Sequence, residues 1–395
     1  MTAGPLISAL RAEARDAPES KIVEVANYGR MRDGIIPLWV GEGDLPTPPF
    51  ICDAATRSLA AGETFYTWQR GIPELRQALA DYYEKHFAKS FSPEQFFVTG
   101  SGMQAIQIAV RMVSGVGDEI LVPTPAWTNI IAATGIGGAT PVEVPMAFIG
   151  SGWALDIDRL SDAITPRTKA IFLNSPSNPT GWVASEQVLR AVYDLAERHG
   201  LWIIADEIYN RFFYGQAKRA PSFFDFAPDD AKIIFVNTFS KNWAMTGWRV
   251  GWLVAPPELG QVIENLIQYS TSGVPTFLQR AGVAALQHGE DFVEHQIARA
   301  RRARDILTGA LTQAGRFRVN APEGAFYLFL SVDGEPDTRR LGLRLVDEAN
   351  VGLAPGDAFG AAGAGYLRLC YLRSEAQISQ AAARLAEWAG APTGR

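Results

Sequence analysis

The chain has 395 residues, of which 47% are apolar and 20% charged, with a formal net charge of −6. That length exceeds one ordinary domain and predicts a large domain joined to a smaller one, with the composition of a soluble globular protein. The modest negative charge argues against a nucleic-acid or anionic-membrane partner, and no apolar run approaches membrane-span length.

Cys52 and Cys370 are too few and too far apart for a disulfide framework or a CxxC site. His86, His199, His288 and His295 show no metal-ligand spacing, and His288 and His295 read as surface positions, so no metal is expected. The N-terminus lacks the apolar core of a signal peptide, which makes the cytoplasm the expected compartment.

In chain order, residues 1–35 are polar and helix-prone, an arm that packs elsewhere. Leu38-Trp39-Val40 leads into a Gly- and Pro-rich loop, 41–48. Glu74 to Lys85 reads as an amphipathic helix, and Phe96-Phe97-Val98 as a strand entering a helix near Met103. Further strands are expected at 120–122, 170–173, 201–205 and 233–236, with a helix at 186–198 ending at Gly200. Near-continuous apolar strands alternating with helices predict an α/β fold, with a mostly parallel, seven-stranded-type sheet between helices.

From residue 290 the pattern changes to a long helix, short strands at 326–330 and 367–371, and a last helix near 375–388: a smaller α+β domain. The expected division is an arm and part of the small domain over 1–45, a large domain over 46–290 and a small domain over 291–395. The cluster Arg299, Arg301, Arg302 and Arg304 reads as a solvated helix face. Gly360 to Gly365 reads as a flexible loop, because no strand precedes it.

Parallel sheets bind ligands beyond the carboxyl ends of their strands, so the residues there carry the functional argument. The first strand runs into Ser101-Gly102-Met103 at a helix N-terminus, where free N–H groups favour a phosphate. The next places Trp127 near the same edge. Another ends in Asn174-Ser175-Pro176-Ser177-Asn178-Pro179-Thr180-Gly181, and the next in Asp206-Glu207-Ile208-Tyr209. A carboxylate after five apolar residues is costly without a cationic partner: as an N-cap it is ordinary, as the partner of a protonated ring nitrogen it is catalytic. The last runs into Thr238-Phe239-Ser240-Lys241, with Arg249 beyond. Burial lowers a lysine pKa and frees a nucleophilic amine. A phosphate seat, a stacking face, an amide, an acid, a phenol and a lysine together suit pyridoxal 5′-phosphate.

With these motifs the chain resembles the class I/II aminotransferases, fold type I pyridoxal-phosphate enzymes, from the Gly41 loop to Arg368. The resemblance implies that Lys241 forms the Schiff base (internal aldimine) and carries the proton between substrate and cofactor. It also implies that Asp206 pairs with the pyridine nitrogen, that Asn178 and Tyr209 bond the ring oxygen, and that Trp127 stacks on the ring. Ser101, Gly102, Met103, Thr238 and Arg249 would hold the phosphate. Tyr66 would reach the phosphate of a neighbouring subunit, implying a homodimer with shared active sites. Arg368, Gly41 and Asn178 would bind the substrate carboxylate.

The activity implied is a ping-pong transfer of an amino group between an L-amino acid and a 2-oxo acid. A C–S lyase or other chemistry at Cα or Cβ uses the same motifs, and a non-catalytic effector-binding homologue is the distant alternative. Met103 stands where an aspartate-using branch carries lysine, and Trp39 and Trp68 lean the reading towards an apolar or aromatic donor. Arg30, Arg32 and Arg70 remain as substitutes for the missing cation.

Overall fold

The computed structural model describes residues 5–19, 21–150 and 152–390. Residues 1–4 and 20 of the expected arm, residue 151 and residues 391–395 of the last domain lie outside the described residues.

The fold is α/β. Its main sheet has seven strands: β1 (Phe96–Thr99), β2 (Glu119–Thr124), β3 (Thr140–Pro145), β4 (Thr168–Asn174), β5 (Trp202–Asp206), β6 (Ile233–Thr238) and β7 (Gly251–Val254). They lie in the order β1-β7-β6-β5-β4-β2-β3. Successive side chains enter opposite cores. Phe96, Leu121, Ile171 and Ile203 belong to one cluster, while Phe97, Ile120, Phe172 and Ile204 belong to the other. Burial on both faces explains why these strands read as continuous apolar runs.

Two strands of this sheet have no counterpart in the sequence reading. β7 runs antiparallel between β1 and β6, the one reversal in this sheet. β3 carries Pro141 and Pro145 and pairs only with β2, because proline is tolerated at a sheet edge. Several helices also lacked a clear signal, among them Pro49–Ala60 and Thr276–His288.

The helices that position the site begin and end on local chemistry. Helix α1 (Gly102–Val113) is capped by Ser101, whose hydroxyl accepts from the Gln104 N–H at 3.0 Å. Helix α2 (Glu186–His199) is capped by Ser185 and ends at Gly200 with φ +67°, a conformation that favours glycine.

Helix α3 (Glu290–Gln313) leads into a four-stranded antiparallel sheet centred on β8 (Tyr327–Val332) and β9 (Tyr366–Cys370). Helix α4 (Glu375–Gly390) packs against α3. The arm joins this region: Ile36–Pro37 pairs in parallel with Val351–Gly352, and the helix Lys21–Arg30 packs against Thr338–Ala349. The solvated-face reading of the arginine cluster is corrected at Arg299, which is buried in an ion pair with Asp44 at 2.8 Å. Alanines flank it, but its own rotation about α3 points inward. Arg301 and Arg302 are exposed, and Arg304 lies over the Tyr214 ring at 4.6 Å. His288 and His295 are exposed.

β7 approaches the start of α1 closely. A Cβ at Gly251 would lie 2.6 Å from the Gly102 nitrogen and 2.7 Å from the Ser101 carbonyl carbon, both backbone atoms that cannot swing aside. Gly251→Ala is therefore expected to lower stability by about 1–3 kcal/mol in denaturant unfolding. Gly309→Ala, in α3 with nothing within 4 Å of the new carbon, is expected to be neutral or raise stability by up to about 1 kcal/mol. Equal effects of the two changes would refute the close-packing argument.

Candidate active site

Sheet register assembles the site. Asn174 and Asp206 are paired at the ends of β4 and β5, and Asp206 is paired with Val236 on β6. Across β1, β7 and β6, Gly251 is paired with both Thr99 and Thr238. The segments carrying Ser101, Thr238 and Arg249 thus leave the sheet side by side.

Asp206 is 1% exposed. Its Oδ1 accepts from the Ile208 N–H at 3.3 Å. Burial pushes its carboxyl up to about 7, opposed by that hydrogen bond and by the charge of Lys241. Such a carboxylate lacks compensation, and a cationic N–H set against it would supply it. Asn174 braces the neighbourhood: its amide donates to the Asp206 carbonyl at 3.0 Å, and its Oδ1 accepts from the Asn178 N–H at 2.8 Å.

Lys241 follows β6 and donates from Nζ to the Gly41 carbonyl at 2.7 Å. Burial lowers its pKa to about 8, moderated by Cys370 and Glu42 and reinforced by Arg368 and Arg249. Its amine lies 5.9 Å from the Tyr209 ring centre. Tyr209 is buried, and its hydroxyl lies 2.7 Å from that of Tyr327. Burial pushes the Tyr209 phenol well above its ordinary pKa, keeping it a proton donor.

At the start of α1 the first N–H groups face away from any helical partner. A Cβ at Gly102 would lie 3.3 Å from Thr238 Cβ, so the glycine keeps this corner open. The Thr238 hydroxyl donates to the Val250 carbonyl at 2.9 Å and lies 2.9 Å from that of Ser240. Arg249 adopts the left-handed conformation at φ +54°, is exposed, and donates to the Thr246 carbonyl. Trp127 caps the helix Thr128–Ile136 and is half-buried. The sulfur of Met103 accepts from the Asn129 amide at 3.6 Å.

Arg368 is 3% exposed. It donates to Asn178 Oδ1 at 3.0 Å and to the Trp39 carbonyl, while its buried Nε has no hydrogen-bond partner among the described residues. A buried guanidinium with a spare N–H and no carboxylate partner suits an incoming carboxylate.

Tyr66 is the exception to this convergence. It is 94% exposed, beside a cavity of about 420 Å³ lined by Phe65, Thr271 and Phe277. Trp39 is 3% exposed and packs onto Gly29 and Gly352, so its ring is not free to meet a substrate side chain. Arg70 is paired with Glu264 and Glu94, and Arg32 with Asp347, which removes both as unpaired cations.

Three residues escaped the sequence reading. Tyr327 touches Tyr209 and lies beneath Arg368 at 4.8 Å. Gln296, 1% exposed on α3, donates to the carbonyls of Lys241 and Asn242 at 3.3 and 2.8 Å. Asn174, named in the sequence only as the start of its motif, holds the Asp206 carbonyl and the Asn178 N–H. Tyr327 and Gln296 read as core positions of a strand and a helix, so only contacts distant in sequence disclose them.

The residues fit pyridoxal phosphate: a half-buried lysine whose charge acts on a buried acid, an open helix N-terminus beside two hydroxyls, and a spare guanidinium N–H. Among the described residues no helix is long and apolar enough to cross a membrane, and no group of side chains could hold a metal ion.

The family profile for aminotransferase class I and II matches residues 33–385. The chain is 36% identical to a probable aspartate/prephenate aminotransferase of Aquifex aeolicus, over 89% of this chain and 90% of that one. It is 33% identical to aromatic-amino-acid aminotransferase 2 of Thermococcus litoralis, over 93% and 94%. A solved structure of a Thermus thermophilus aspartate aminotransferase mutant superposes with a TM-score of 0.89 at 35% identity, covering 96% of this chain and 99% of that one. The chain belongs to the class I and II aminotransferase family and is a pyridoxal-phosphate-dependent transaminase.

Proposed function

We propose that the residues gathered at the strand ends carry out a ping-pong transamination between an L-amino acid and a 2-oxo acid. The observation that carries this reading is the Lys241 amine, hydrogen-bonded to the Gly41 carbonyl at 2.7 Å and lowered to about 8, whose charge acts on the buried acid Asp206. Pyridoxal phosphate, when bound, supplies a carbonyl for amine exchange and a ring that draws electrons from the substrate's α-carbon. Lys241 holds the cofactor and, as a free amine, moves the proton at that carbon. Asp206 keeps a proton on the ring nitrogen. Asn178 and Tyr209 orient the ring oxygen, and Trp127 covers the ring face.

Ser101, Gly102, Met103, Thr238 and Arg249 hold the phosphate. Arg368 grips the carboxylate common to donor and acceptor, with Asn178 beside it and Gly41 allowing close approach of backbone. The same clamp serves both half-reactions, because both substrates carry that carboxylate. The relatives are named for aspartate, prephenate and aromatic amino acids, which makes these the donor and acceptor classes to try first.

A homodimer is part of this proposal. Phe65, Tyr66, Trp68 and Tyr269 are exposed together, at 84%, 94%, 62% and 88%, and the first three occupy one segment. An aromatic surface of this kind suits a second copy, which would receive Tyr66. The free thiols of Cys52 and Cys370 fit the cytoplasm. We assign residues 1–45 to an arm and part of the small domain, 46–290 to the large domain and 291–395 to the small one. The pairing of Ile36–Pro37 with Val351–Gly352 supports grouping the arm with the small domain.

The function is tested by titrating the loaded enzyme with single amino acids in the absence of any oxo acid. The yellow band is expected to bleach with aspartate or aromatic amino acids and to return on adding a 2-oxo acid. Release of ammonia and pyruvate or a thiol, with the band unchanged, would instead support the lyase reading.

The depressed lysine pKa gives a signed expectation. The rate at which the unloaded protein captures pyridoxal phosphate should rise with pH around a midpoint near 8, as Lys241 loses its proton. A midpoint near that of a free lysine, about 10.4, would contradict the buried amine, and Lys241→Ala should abolish the yellow band.

Arg368→Lys keeps the charge and removes the planar fork. It is expected to raise the amino-acid KM by about 10- to 100-fold, with a smaller loss in kcat. Steady-state kinetics with an unchanged KM would remove Arg368 from the carboxylate site.

A further inference from the structure

Tyr327 joins three parts of the site. Its hydroxyl lies 2.7 Å from that of Tyr209 and donates at 3.4 Å to the Gly41 carbonyl, which also accepts the Lys241 amine. Its ring lies 4.8 Å from the Arg368 guanidinium, which also stacks on Phe359 at 4.7 Å. Gly41 makes room for this arrangement, because a Cβ there would lie 2.5 Å from the Tyr327 hydroxyl. Both tyrosines are buried, with their rings edge to face at 5.5 Å.

Each phenol has one proton to give. While Tyr327 donates to Gly41, it accepts from Tyr209, and the Tyr209 proton is committed. When Tyr209 donates instead to a ring oxygen of the cofactor, its own oxygen is freed to accept, and Tyr327 can turn from Gly41 and donate to it. Hydrogen bonds in series strengthen one another, so the second phenol makes the first a better donor.

We propose that Tyr327 is a positioning residue for the transamination: its hydroxyl orders and strengthens the Tyr209 donor, and its ring supports the Arg368 carboxylate clamp. The inference rests on the roles proposed above for Tyr209 and Arg368. An O–H donated to the ring oxygen favours the form in which the neighbouring nitrogen has lost its proton and the oxygen carries the full negative charge. Weakening that donor must raise the midpoint of the pH-dependent colour change.

The test is a spectrophotometric pH titration of the loaded enzyme, paired with steady-state kinetics. Tyr327→Phe is expected to raise the midpoint by about half to one pH unit, with a change in amino-acid KM below about twofold because the ring remains. Tyr327→Leu is expected to raise the midpoint similarly and KM about tenfold. Gly41→Ala displaces the hydroxyl without altering Tyr327, and a raised midpoint is expected there as well. Tyr209→Phe separates the levels of the argument: its midpoint should rise further, and adding Tyr327→Phe should then change nothing more. A shift in Tyr209→Phe with none in Tyr327→Phe would overturn this inference and leave the Tyr209 role standing. No shift in either would overturn both.

Discussion

The carbonyls of one short stretch, 39–41, hold the two groups to which the proposed function gives the cofactor and the substrate carboxylate. Gly41 accepts from the Lys241 amine, and Trp39 accepts from the Arg368 guanidinium. These carbonyls do not move independently of the fold. The Trp39 ring is pressed against Gly29 and Gly352, where added side-chain carbons would lie 2.3 and 1.7 Å from it. Ile36–Pro37 is hydrogen-bonded to Val351–Gly352, and the Leu38 carbonyl accepts from the Cys370 N–H at 2.8 Å. Lys241, just past a strand of the seven-stranded sheet, and Arg368, on a strand of the C-terminal sheet, are thereby referenced to the same backbone.

Desolvation gives the site its chemical character. Asp206 and Lys241 are both pushed towards their neutral forms by burial, the acid to about 7 and the amine to about 8; the Lys241 charge partly relieves the acid, while Cys370 and Glu42 partly relieve the amine. Each is therefore poised to take a charged or reacting partner from the cofactor. Arg368 is handled differently, as a planar cation with a fork of N–H donors. It is kept in place by two neutral acceptors and two aromatic rings, which leave its charge available to a carboxylate.

Helix α3 closes the back of the site. Gln296 fixes the backbone of Lys241 and Asn242, and Arg299, one turn on, reaches Asp44 in the Gly41 loop. At the helix start, Glu290 forms a two-bond pair with Arg211, just beyond Tyr209. One helix thus ties together the lysine turn, the loop that supplies Gly41 and the segment after Asp206. It is also the element at which the sequence pattern changes character.

Much of this protein was legible without coordinates. Near-continuous apolar runs ending in Asn174–Gly181, Asp206–Tyr209 and Thr238–Lys241 declared a doubly covered sheet with polar chemistry at one edge, because burial on both faces leaves only the strand ends for function. Ser101 and Gly200 marked their helix boundaries through local capping. Other features depended on context. Nothing in Gly251–Val254 announces a reversed strand, and β3 was hidden by prolines that an edge position tolerates. Tyr327, Gln296 and Arg299 look like ordinary members of a strand and a helix. Their partners lie 118, 55 and 255 residues away, and which direction such side chains face is decided by packing. Residue type and spacing determined the chemistry available at the strand ends; the register of the sheet and the docking of the arm decided which groups meet, because those distances are set by contacts no local pattern encodes.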